Sequence, residues 1–235
     1  MRAFLCHKYG EPETMKVEEA PPPEMIENGV RISVKAAGVN FADTLIIKGE
    51  YQVRPPFPFS PGLEAAGEVL EVAPGVTGFQ PGHRVMAMVG HGGFATEVVT
   101  DAGNLIKLPG SMDYGEAAGF PSVYGTSHIG LVHKAKLRAS ETLLVHGAAG
   151  GVGLTAVEIG KKLGATVIAT AGGPEKLKIA RQYGADHLID YRSEDIRERV
   201  KQMTEGRGAD CVYDPVGGSV FDASLRCTAQ RGRIL

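Results

Sequence analysis

The stretch Leu143-Leu144-Val145-His146-Gly147-Ala148-Ala149-Gly150-Gly151-Val152-Gly153 restricts what this chain can fold into more than any other. It reads as an apolar strand, a tight glycine turn and the start of a helix. A backbone that turns this sharply presents amide N–H groups beside the positive end of a helix dipole, a combination that attracts phosphate. Gly150 permits close approach of a pyrophosphate, and Gly153 lets the helix sit tight on the strand. Ala148 stands where G-x-G-x-x-G has its first glycine, so the motif is an A-x-G-x-x-G variant. A glycine-rich run alone also describes a flexible loop, but the flanks here argue for more. Val152, Ala156, Ile159 and Leu163 fall on one helical face, and Thr166 to Ala171 reads as a second strand. Strand, turn, helix and strand make the βαβ unit that a dinucleotide fingerprint requires. Ala148, Ala149, Gly150, Gly151, Val152 and Gly153 are therefore the candidate phosphate-holding residues.

The rest of the chain separates into two patterns. Up to about residue 117 it reads as short strands. Met1 to Cys6 is one, and Val30, Ile32 and Val34 alternate with Arg31, Ser33 and Lys35 in another. Ala66 to Val72, Arg84 to Met88 and Phe94 to Val99 follow, punctuated by Ala73-Pro74-Gly75, Pro81-Gly82 and Gly92-Gly93. Such spacing suggests a compact, barrel-like domain over 1–117. From 118 to 235, Glu141 to Val145, Thr166 to Ala171, His187 to Ile189 and Cys211 to Tyr213 are strands separated by helix-length stretches. That alternation predicts an α/β, doubly wound parallel sheet. Gly232-Arg233-Ile234-Leu235 reads as a further strand just starting, which gives an incomplete sheet and an expected truncation. A net charge of −2 leaves no electrostatic footprint for nucleic acid or a membrane surface. Cys6, Cys211 and Cys227 are far apart and odd in number, which suits a reducing cytoplasm.

Three motifs stand in order: Gly38-Val39-Asn40-Phe41-Ala42-Asp43, Pro61-Gly62-Leu63-Glu64-Ala65-Ala66-Gly67 and Gly147 to Gly153. Together they resemble the zinc-independent quinone oxidoreductases of the medium-chain dehydrogenase/reductase superfamily, over essentially the whole chain. The resemblance implies an N-terminal GroES-like catalytic domain and a C-terminal Rossmann domain. It also implies NADPH-dependent reduction of quinones, or of activated alkenes such as enals and enones, and a homodimer for a full-length form. Zinc-dependent members place a cysteine where this chain has Asn40, and a histidine beside a glutamate where it has Leu63-Glu64. A catalytic zinc wants three ligands and an open position, and the seven histidines show no ligand spacing, so no metal is expected.

Without a metal, a quinone or conjugated carbonyl fits, because its own π-system takes the charge. By resemblance, Asn40 and Tyr51 line the cleft where nicotinamide and substrate meet. Asn40 reads equally as a strand-end turn residue, and Tyr51 as a packing aromatic. Asp43 reads as a cap for a segment starting at Thr44, Glu64 as a buried structural carboxylate, and Asp214 as a cap for the next helix. Tyr124, Thr126 and Ser127 are either cofactor neighbours or helix-start residues. NAD-selective sheets carry an acidic residue about twenty positions beyond the glycines. Here the second strand ends Thr170-Ala171-Gly172-Gly173, with Lys176 just beyond, which predicts NADPH. Tyr191, by resemblance, closes over the same 2′-phosphate. Two other functions fit the pattern: an enoyl-thioester reductase of the same fold, and a non-catalytic NADPH-binding protein.

Overall fold

The computed structural model describes residues 1–235. The chain divides into two compact units, Met1–Ser122 and Val123–Leu235.

The first unit is antiparallel. A hairpin pairs β1 (Arg2–Leu5) with β2 (Lys16–Glu19). Next come β3 (Gly29–Ala37), α1 (Phe41–Lys48), β4 (Glu64–Val72), β5 (Arg84–Met88), β6 (Glu97–Asp101) and β7 (Leu105–Lys107). The five later strands form one sheet in the order β6-β3-β4-β5-β7. The alternation read in the sequence is a burial alternation here. Val30 and Ile32 are fully buried and pack with Val69, Val85, Ala87 and Val98, while Lys35 faces water. One strand lies later than its pattern suggests. Phe94 to Thr96 precede β6, and their amides go elsewhere: Phe94 N–H donates to Pro61 O and Thr96 N–H to Arg2 O. A short helix, α2 (Tyr114–Ala118), is capped by the Asp113 carboxylate, which accepts from the Gly115 and Glu116 amides.

The second unit contains most of α3 (Pro121–His128), then a π-helix (Ile129–Lys134). After these the βα alternation begins: β8 (Thr142–Val145), α4 (Gly151–Lys162), β9 (Thr166–Ala171), α5 (Pro174–Gln182) and β10 (His187–Asp190). It continues through α6 (Ile196–Met203), β11 (Ala209–Tyr213), α7 (Ser219–Cys227) and β12 (Thr228–Ile234). All five strands are parallel, in the order β10-β9-β8-β11-β12. Buried on both faces, the central strands read as unbroken apolar runs. Leu143 and Val145 pack with Ala156, Val167 and Ala169 on one side; Leu144 packs with Ile168, Ile189 and Val212 on the other. The strand expected at Gly232 begins earlier. It leaves α7 directly at Thr228 and bulges against β11, with Arg231 in the left-handed region. The order reverses between β8 and β11, and in such sheets ligands bind at the carboxyl ends of the strands at that point.

Candidate functional site

In the first unit, Asn40 and Asp43 stand at the start of α1, whereas Tyr51 follows its C-terminal end. Asn40 is the N-cap, and the Asp43 carboxylate accepts from the Asn40 amide at 2.7 Å, one arm of a capping box. The helix therefore begins at Phe41. Asp43 works from its third position and not as a cap before Thr44, whose hydroxyl donates back to Phe41 O. The other Asp43 oxygen accepts from Gly62 N–H at 3.2 Å, tying α1 to the Pro61-Gly62-Leu63 turn. Asp43 is 1% exposed, and burial raises its pKa despite those amides. Asp43→Asn puts an amide donor where N–H groups converge. It should lower stability by about 1–2 kcal/mol in urea unfolding; an unchanged midpoint would remove the capping argument.

Glu64 opens β4 and is also 1% exposed. It accepts from Asn40 Nδ2 at 2.8 Å and from Ser122 N–H at 2.8 Å, neither of them a cation. Burial raises its pKa above the ordinary carboxylate range, and the nearby Asp43 charge adds to this. The bond to Glu64 fixes the Asn40 side chain and leaves one N–H and the carbonyl oxygen for another partner. Val39 and Phe41, on either side of Asn40, are 81% and 79% exposed. Tyr51 is half-buried, its ring packed on the cluster of Cys6, Met15, Ile46, Ile47 and Phe59.

In the second unit the glycine turn joins β8 to α4. Ala148 N–H donates to Thr170 O, and Gly150 N–H to Gly147 O, so the turn is pinned to β9. Leu154 makes a helical bond to Gly150 O. The amides of Gly151, Val152 and Gly153 are the free donors that every helix start presents, and no acidic residue lies in that first turn. Ala148 is buried in the core and Val152 packs against it, so those two side chains support the turn from beneath. Gly153 is required by contact. A Cβ there would lie 2.2 Å from Gly147 O and 2.8 Å from Ala148 Cα.

A cavity of about 260 Å³ opens beside this turn, lined by Gly147, Ala149, Gly150, Ala171, Gly172, Lys176 and Tyr191. The structure thus brings the turn together with the end of β9, the first turn of α5 and the end of β10. Gly173 is the residue before α5. Asp190 organises the far wall: one carboxylate oxygen accepts from Gly173 N–H at 3.1 Å and Arg192 N–H at 3.0 Å. Sequence reasoning missed Arg192. A Cβ on Gly172 would meet Tyr191 Oη at 2.7 Å and Arg192 Nε at 2.8 Å, so phenol and guanidinium both crowd this glycine. Lys176 and Arg192 are exposed, and neither is paired with a carboxylate. The edge therefore carries two unneutralised cations and a phenol, a match for a dianionic phosphate.

Other candidates have structural employment. Ser127 is fully buried, bonded to Val152 O, Thr155 Oγ1 and Tyr213 Oη. The Tyr124 phenol donates to Glu158, which helps push its pKa up to about 12. Asp214 does not cap α7, whose N-cap is Gly218. It closes the preceding turn by accepting from Val216 and Gly217 N–H. No three His, Cys, Asp or Glu side chains stand together as metal ligands, and no helix is long and apolar enough to cross a membrane.

A GroES-like antiparallel unit followed by a parallel, Rossmann-type unit with this turn is the plan of the medium-chain dehydrogenase/reductase superfamily. Residues 27–110 match the alcohol dehydrogenase GroES-like domain, and residues 151–235 the zinc-binding dehydrogenase domain. The chain is 40% identical to quinone oxidoreductase-like protein 2 homolog of Nematostella vectensis, covering all of this chain and 64% of that protein. It is 39% identical to a quinone oxidoreductase of Pseudomonas aeruginosa, covering 97% and 70%. The structure of Escherichia coli quinone oxidoreductase complexed with NADPH superposes with a TM-score of 0.95 at 35% identity, covering 100% and 72%. The chain belongs to the quinone oxidoreductase family. It spans about two thirds of the length of the curated relatives it matches.

Proposed function

We propose that this chain binds NADPH and reduces quinones or activated alkenes by direct hydride transfer, without a metal. The observation that carries the reading is a cavity beside the α4 amides lined by Lys176 and Tyr191, with the Arg192 guanidinium set against Gly172 of the same wall and neither cation paired with a carboxylate. Related quinone oxidoreductase structures that contain NADPH support the same cofactor. When bound, NADPH supplies a hydride. The chain's own residues bind and orient. The α4 amides and helix dipole hold a pyrophosphate. Lys176 and Arg192 neutralise a 2′-phosphate, and the Tyr191 phenol donates to it. Asn40, fixed by Glu64, keeps an N–H and a carbonyl oxygen for a ribose hydroxyl or a ring substituent. Tyr51 donates its phenol proton to a substrate oxygen, where charge develops. The exposed Val39 and Phe41 give Asn40 an apolar rim suited to a flat, conjugated acceptor. Asn40 and Leu63 replace the ligands that zinc chemistry needs.

The test is NADPH oxidation followed at increasing concentrations of a benzoquinone, an enone and an enoyl thioester, with and without chelator. Turnover with the first two, unchanged by chelator, is expected. Tight NADPH binding with no turnover on any acceptor would favour a binding protein. Turnover confined to the thioester would favour an enoyl reductase. Lys176→Gln and Arg192→Gln should each weaken NADPH about tenfold, the loss of one charge-assisted bond, and leave NADH unchanged. Equal weakening of both cofactors would refute the 2′-phosphate assignment.

A further inference from the structure

The π-helix Ile129–Lys134 follows α3 without a break, and Ala135 N–H closes on Gly130 O five residues back at 2.8 Å. Six residues of π geometry are rare in a soluble domain, and such segments often mark functional sites. This one has a local consequence. In an α-helix, residues i and i+5 point about 140° apart. In π geometry, with its i→i+5 hydrogen bonds and wider turn, that angle is smaller. His128 and His133 are so related, and their rings meet edge to face with centroids 5.3 Å apart. Both side chains are exposed.

From this juxtaposition we propose that His128 and His133 form a two-imidazole site for a first-row transition-metal ion, Cu²⁺, Ni²⁺ or Zn²⁺. The distance suits it. With metal–nitrogen bonds of about 2.0–2.1 Å, two imidazoles on one tetrahedral ion have centroids about 5.2 Å apart. Both rings are exposed, so each is free to turn about its side-chain bonds. Imidazole donors without a carboxylate select these ions over Mg²⁺ or Ca²⁺. Lys134, next along the chain, opposes binding by like charge. Two protein ligands leave the other positions to water or a small anion. The site is separate from the cavity beside the glycine turn, whose lining includes neither histidine.

The experiment is a Cu²⁺ titration of the 235-residue chain by calorimetry, with electron paramagnetic resonance to count imidazole nitrogens. One equivalent bound through two imidazoles is expected, with binding lost as acid protonates the rings. His128→Gln and His133→Gln should each weaken that equivalent at least about tenfold, with unchanged circular dichroism, and His91→Gln should leave it intact. Survival of the equivalent in the double variant, or wild-type affinity in either single variant, would overturn the proposal.

Discussion

Gly153→Ala is expected to cost about 3 kcal/mol of stability and to weaken NADPH binding by at least about tenfold, and by about 100-fold if two donors are lost. The added Cβ would stand 2.2 Å from Gly147 O, 2.8 Å from Ala148 Cα and 2.9 Å from the Gly147 carbonyl carbon, all backbone. No side chain can rotate away to relieve this. The turn itself is held by Ala148 N–H on Thr170 O at 3.0 Å and Gly150 N–H on Gly147 O at 2.9 Å. Relief must come from α4 moving off the turn. That separates Val152 and Ala156 from the core they pack in, and displaces the α4 amides proposed to hold phosphate. Gly150→Ala is the control for the stability effect alone, because a Cβ there meets only Gly147 O, at 3.3 Å. Urea unfolding reads the first effect and a fluorescence titration with NADPH the second. A Gly153→Ala variant that matches wild type in both would refute the view that close packing at Gly153 positions the site.

The difference between those two glycines was partly legible in the sequence, and the reason lies in how far apart the interacting residues are. The β8–α4–β9 unit could be read because its signals are local: an unbroken apolar run, a glycine turn, and Val152, Ala156, Ile159 and Leu163 at helical spacing. All four pack in or against one core cluster. β9 has the expected ends, and β10 runs one residue further, to Asp190. β6 was displaced because Phe94 and Thr96 satisfy their amides on Pro61 and Arg2, partners that no local periodicity reveals. The bond between Asn40 and Glu64 spans 24 residues and is invisible for the same reason. Arg192 lies in a polar turn that looks like any other. Its position follows from the parallel register that sets Asp190 beside Ala171, which carries the two residues after Asp190 toward Gly172 and Gly173. A sequence reading that had paired β9 with β10 could have found it. Asp190 shows the converse: the carboxylate beside Gly173 and Arg192 comes from the third strand, with one oxygen occupied by backbone amides.

Acidification should destabilise the second unit through His146. This residue follows β8 directly, is 0% exposed, and lies between β9 and α7. Its Nδ1 is 2.9 Å from Thr170 Oγ1 and its Nε2 2.9 Å from Ser224 Oγ. Neither partner is charged, and each hydroxyl can donate or accept, so a neutral ring is served well. Burial lowers the imidazole pKa from 6.5 to about 4, with the Asp214 carboxylate pulling weakly the other way. The folded chain therefore binds the proton less readily than the unfolded chain. The stabilisation is complete above pH 6.5 and is lost as pH falls through about 4. The full gap corresponds to about 3 kcal/mol, of which about 2 kcal/mol is gone by pH 5. The carboxylates whose pKa values are depressed, such as Asp186 and Glu141, give up their contribution at lower pH, so the upper part of the window belongs to the histidine. Urea unfolding at pH 7 and pH 5 should show wild type losing about 2 kcal/mol more than His146→Gln, which has no proton to gain. The variant will be weaker at pH 7, because a shorter amide cannot span Thr170 and Ser224; the pH slope carries the test. Equal slopes would mean that His146 is charged in the fold or hydrated in it, and that the strand entering the glycine turn is not held by a neutral ring.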